Sequence, residues 1–218
     1  ILLIMVVYNL FVYFSTRDIN YLYYIGFVAS YMLFHLTLTG YTFAYVWPNA
    51  LRWNSFAIST FIGASAFFAC LFMSQFLKLR LFSKPAFYLV RALTLVSAAI
   101  FCLSFVLPYS WTIRAGTSIA IPIATTALTL GYWRWWRGAK FARFYCLAWT
   151  AIFIGLAVLT ASKLGWIPIN LWTESASEIG IILLVVLLSF TLADRINTDR
   201  SLRLNAQEFA ASHAAFER

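Results

Sequence analysis

Four side chains are polar within stretches that are otherwise apolar: Asn9, His35, Arg114 and Glu178. An ionisable group at membrane depth is costly to desolvate, so each is first a candidate for function. Glu178 has the chemistry to carry a proton, but it also closes Ser175-Ala176-Ser177-Glu178, an S-x-x-E capping box. In such a box the serine and the glutamate satisfy free amides at a helix start. Capping is the favoured reading, because the carboxylate then lies only about 5 Å inside the helix, at about 1.5 Å per residue. His35 lies in an apolar run with Tyr31 and Thr39 four residues to either side. It is a candidate proton sensor, and an interhelical hydrogen bond is the expected role. Asn9 reads the same way, as polar glue between helices. Arg114 is placed one turn inside the outer end of its segment, where it snorkels to headgroups or pairs with Glu174 or Glu178. Snorkelling needs no partner and is expected.

Other chemistries find little support. Cys70, Cys102 and Cys146 fall in three different apolar runs with no C-x-x-C pair, so they read as small core residues. The four lysines, Lys78, Lys84, Lys140 and Lys163, stand at segment ends or in loops, which leaves no intramembrane amine for a retinal Schiff base. There is no H-E-x-x-H, no P-loop, and no serine or cysteine with a histidine placed to activate it. No catalytic residue, metal ligand or cofactor is assigned. A small-molecule or ion transporter or channel subunit is the alternative, but repeated halves and broken helices are not evident.

These residues are positioned by elements whose solvent is lipid. Of 218 residues 63% are hydrophobic and 11% charged, against roughly 25% charged in soluble domains, and mean hydropathy is +0.82. The net charge of +9 does not point to nucleic acid, because the basic residues sit in short loops between apolar runs, where they set topology and meet anionic lipid. Seven apolar segments follow: Ile1 to Phe14, Tyr21 to Leu38, Phe56 to Leu77, Tyr88 to Leu107, Trp111 to Trp133, Phe141 to Ala161 and Ser175 to Ala193. The first is shorter than the roughly 20 residues that cross a bilayer. The chain opens at Ile1 already inside it, and we expect its outer turns to precede that residue.

Thirteen of the sixteen Lys and Arg flank one side of these segments, leaving Arg52, Arg114 and Lys163 on the other. The positive-inside rule makes the first side cytoplasmic, with the N-terminus periplasmic and the C-terminus inside. The outer side is aromatic, with Tyr41, Tyr45, Trp47 and Trp53 in one loop and Trp111, Trp166 and Trp172 at the same level. After Ala193 a polar segment without Gly or Pro continues to Arg218, and Leu202, Phe209 and Phe216 recur in it every seventh residue. Such a thin stripe calls for a partner copy, so a homodimer through this helix is expected. Small residues four apart, Ser59 with Gly63 and Ala151 with Gly155, suggest close helix contacts, and Pro122 is expected to kink the fifth segment.

Tyr8-Asn9-Leu10-Phe11-Val12-Tyr13-Phe14-Ser15-Thr16-Arg17-Asp18, with Tyr21-Leu22-Tyr23-Tyr24 beyond it, resembles the first-to-second helix junction of the bacterial seven-transmembrane receptors with diverse intracellular signalling modules. Tyr45-Val46-Trp47-Pro48 and Leu188-Ser189-Phe190-Thr191-Leu192-Ala193-Asp194-Arg195-Ile196-Asn197 are similar to the same family, while the middle segments match only as hydrophobic stretches. The resemblance implies an inner-membrane sensor, commonly with a periplasmic domain before the first helix. It also implies a histidine kinase, diguanylate cyclase or phosphatase after the seventh.

The expected fold is therefore all-α: a polytopic seven-helix bundle over residues 1–193, followed by a cytoplasmic signalling helix over 194–218. The expected function is a transmembrane signal-transduction receptor module. It senses a periplasmic or intramembrane stimulus of unassigned identity and relays it through the seventh helix to a cytoplasmic output domain.

Overall fold

Backbone turns, more than loop length, decide where the helices stop. In the structure, a computed structural model that describes residues 1–139 and 141–194, α1 (Leu2–Thr16) ends at Arg17, whose φ of 55° lies in the left-handed region. That conformation terminates helices by turning the last amides back on the preceding carbonyls; here Arg17 N–H donates to the Tyr13 carbonyl. Asp18 then starts α2 (Ile19–Leu38) by accepting the Asn20 N–H at 2.9 Å, an N-cap that satisfies one of the free donors of the first turn. A π-helical turn, Thr42–Val46, leads to α3 (Leu51–Phe76). Left-handed Lys78 (φ 50°) separates α3 from the short α4 (Leu79–Phe82). Pro85 lies in the first turn of α5 (Lys84–Leu103), where its missing N–H is not needed. The helices α6 (Tyr109–Trp136), α7 (Ala142–Lys163), α8 (Leu171–Glu174) and α9 (Ala176–Asp194) complete the chain as described.

The protein is an all-α polytopic bundle. Six of these helices (α2, α3, α5, α6, α7 and α9) are long and apolar enough to cross a membrane, and the 15-residue α1 is apolar but shorter. Three boundaries differ by four or five residues from the hydropathy reading. α3 begins at Leu51, five residues before the expected Phe56, because helical geometry continues through Arg52 and Asn54. α5 runs from Lys84 to Leu103 where Tyr88 to Leu107 was expected, since Pro85 starts it and Ser104 caps it. α6 passes through Pro122 without breaking.

At the centre, α3 packs against α2, α5 and α6, while α2 also touches α1, and α6 touches α7. Phe76 of α3 is fully buried, stacked on Tyr145 at 5.4 Å and on Phe72 at 5.3 Å, with Phe141 edge-on. Two close approaches need glycine. A Cβ at Gly63 would sit 2.9 Å from the Phe101 backbone nitrogen of α5, and one at Gly155 of α7 would collide with the Ala176 carbonyl of α9. In lipid there is no hydrophobic gain from helix association, so such close van der Waals packing carries much of the cohesion.

The basic junctions gather at one end. Arg134 of α6 donates its Nε–H to the Leu77 carbonyl at 3.2 Å, and its guanidinium lies 4.5 Å from the centre of the Phe82 ring. The α3–α5 and α6–α7 junctions are thus joined, by an interaction that Arg favours over Lys because its planar fork both donates and stacks. The stripe residues Leu202, Phe209 and Phe216 lie outside the described residues.

Candidate functional site

The last helix meets the bundle along one face. In α9 the residues Gly180, Ile181, Leu184, Val185, Leu188 and Ser189 are buried at three- and four-residue spacing, the pattern of one helical stripe. Along that stripe α9 is held by three polar contacts at three depths.

Nearest the aromatic end, His35 Nε2 and Glu178 Oε1 are 3.4 Å apart, their side chains 32% and 57% exposed. His35 lies three residues before Leu38, in the last turn of α2, and so is shallower than its place in an apolar run suggested. The capping-box reading of Glu178 gives way here for a physical reason. Asn170 and Thr173 cap α8, and the Ser175 N–H already donates to the Leu171 carbonyl at 3.0 Å, so the amide that Glu178 would have capped is taken. The carboxylate faces His35 instead.

Midway, the buried Tyr24 hydroxyl of α2 donates to the Val185 carbonyl at 2.7 Å. Nearest the basic end, the Ser189 hydroxyl donates to Asn9 Oδ1 at 3.0 Å, while Asn9 Nδ2–H donates to the Met5 carbonyl of its own helix at 2.8 Å. Asn9 is completely buried, so both ends of its amide are satisfied where water cannot reach, the condition under which a buried amide is tolerated. Arg114 is exposed on α6, and Glu178, one of the two acids considered for it, faces His35.

Of the four polar residues singled out in the sequence, His35 and Glu178 come together, Asn9 meets a serine of α9, and Arg114 stands apart from them. Tyr24 was missed because its acceptor is a backbone carbonyl, which no pairing of side-chain types reveals. Opposite this seam, α9 approaches α7 backbone to backbone at Gly155. Among the described residues no group of three or more His, Cys, Asp or Glu is placed to hold a metal ion.

A family model described as 7TM diverse intracellular signalling matches residues 1–195, which spans every described helix. Searches of curated proteins and of solved structures find no match. With six apolar helices of membrane-crossing length and a shorter seventh among the described residues, a last helix held by directional contacts, and that match over nine-tenths of its length, the chain belongs to the seven-transmembrane diverse intracellular signalling family and is a membrane-embedded signalling receptor module.

Proposed function

We propose that this module senses a periplasmic or intramembrane stimulus and passes it through α9 to a cytoplasmic output domain of histidine kinase or diguanylate cyclase type. The observation that carries this reading is the ladder of contacts from α1 and α2 to α9: Glu178 with His35, Val185 with Tyr24, and Ser189 with Asn9. Apolar surfaces slide past one another at little cost, but a hydrogen bond in a dry interior is either made or lost. A helix held by two such contacts, at Val185 and Ser189, has discrete positions, and a ligand that favours one of them shifts the population. The 13-to-3 distribution of basic residues supports a bacterial inner-membrane topology with α9 leading into the cytoplasm. Beyond Ala193 the signalling segment pairs with that of a second copy through Leu202, Phe209 and Phe216.

The test is to insert one to four alanines after Asn197 in the full-length receptor and to measure output activity. Each residue turns the downstream chain by about 100° and advances it by about 1.5 Å, so activity should vary with phase, with four residues restoring most of it. Two glycines at the same point should uncouple sensing from output. Output that is indifferent to insertion length and to glycine discards the relay.

A further inference from the structure

The outermost of the three contacts on α9 differs in kind from the two below it. Tyr24 with the Val185 carbonyl and Ser189 with Asn9 are hydrogen bonds between uncharged groups. His35 Nε2 and Glu178 Oε1, 3.4 Å apart, form an ion pair only while the imidazole is protonated. Both partners stand at helix ends that favour the charged form. His35 is in the last turn of α2, where the helix dipole favours a cation, and Glu178 is the third residue of α9, where it favours an anion. At about 1.5 Å per residue each lies within about 5 Å of its helix end, and neither side chain is buried. The pair is therefore at the interfacial level of the aromatic end, within reach of water, on the side that the topology proposed above places outside.

Among the described residues no other ion pair involves either side chain. Tyr31, one turn below His35, is near enough to Glu178 for the carboxylate's charge to act on it. Of the elements around α2, α1 carries no charged side chain, Arg52 of α3 has a partner of its own, and Tyr41 and Tyr45 beyond the helix end stack on each other at 6.3 Å. Beside α9, Glu174 of α8 also has a partner of its own, Arg114 of α6 is exposed, and Lys163 ends α7 at the same level. Lysine and arginine keep their charge across the range in which histidine titrates. A change of charge at this end in that range therefore falls on the imidazole.

We propose that the pair is a proton-operated latch on the outer end of α9, closed when His35 takes a proton from the outer water and open when it gives it back. The stimulus it reads is acidification of the outer medium. While the imidazole is protonated and the carboxylate ionised, opposite charges hold the first turn of α9 to α2. As pH rises and the imidazole loses its proton, that attraction goes and α9 keeps only its two uncharged contacts. Exposed pairs are weak, so the balance of α9 positions shifts by about two- to five-fold and not from all to none. Transmission of the shift to the output rests on the proposed function, whereas the latch itself does not.

The test uses the full-length protein in phosphatidylcholine nanodiscs, spin-labelled at Leu38→Cys and Ile179→Cys, two exposed positions at the outer ends of α2 and α9, with Cys102→Ala removing the exposed native cysteine. Distances between the labels are measured from about pH 8 to about pH 5, the span in which histidine changes charge. The population at the shorter distance should rise about two- to five-fold as pH falls. His35→Gln and Glu178→Gln should each flatten the response, and the double variant should do no more than either. His35→Lys, with a permanent charge, should hold the low-pH distribution throughout. A response that persists in any of these variants, or is absent with the native pair, overturns the latch. Output is read in parallel in sealed vesicles that hold the output domain inside at constant pH while only the outer pH varies. Distances that respond with no change in output remove the relay and leave the latch standing; output that follows alanine insertions while the distances ignore pH does the reverse.

Discussion

The two sides of the bundle are held together differently. Around α3 the contacts are chiefly apolar and aromatic, with Phe76 enclosed by Phe72, Phe141 and Tyr145 and the α3–α5 backbones nearly touching at Gly63. Around α9 a bare glycine contact on one flank is matched by three polar contacts on the other. Shape complementarity of the first kind has one good solution, because displaced rings leave voids that nothing fills. Contacts of the second kind can be exchanged one at a time. On the proposed function, α3 is the frame and α9 the element with alternatives.

The largest effect tests the frame. Phe76→Ala should destabilise the protein by about 3–5 kcal/mol, read as lower resistance to thermal or detergent unfolding, while surviving protein keeps its normal ratio of stimulated to basal output. A variant that instead alters that ratio at full stability would make α3 part of the switch. Next in size is Gly155→Leu, which forces α9 away from α7 and should cost about 1–3 kcal/mol through overpacking. Here basal output is expected to change as well, and unchanged output in folded protein would argue against α9 as the moving part.

Smaller effects sharpen the seam itself. Asn9→Ala, Ser189→Ala and the double variant form a thermodynamic cycle whose coupling energy should fall near 0.6 kcal/mol and below about 1.7 kcal/mol, the range measured for interhelical hydrogen bonds in membranes. A coupling of zero would mean that the two side chains do not stabilise one another. The smallest expected change comes from Glu178→Gln. With both partners substantially exposed, the pair should contribute well under about 1 kcal/mol, so stability should hardly move while output shifts if the outermost contact biases α9.

The helices were legible because desolvating a backbone in lipid leaves few choices, and long apolar runs such as Ala142 to Lys163 are helical almost by necessity. Their ends were less so. Hydropathy began the fourth segment at Tyr88, whereas Pro85, a start signal of a different kind, begins it at Lys84. At the seam, Asn9 was conspicuous as an isolated amide in an apolar helix. The link between His35 and Glu178 was not, since 143 positions separate them and a local motif offered Glu178 a simpler use. The motif failed because α8 closes immediately before α9 and occupies the amide in question.

The bond from Tyr24 to the Val185 carbonyl has an evolutionary consequence. Every amino acid at position 185 presents the same carbonyl, so this contact constrains the tyrosine alone. The bond predicts that among relatives position 185 drifts among apolar residues of similar size while position 24 keeps its tyrosine, and that the two show no covariation. Methods that infer contacts from correlated substitution will therefore pass over one of the anchors of the last helix, and a scan of single substitutions will find it on one side only.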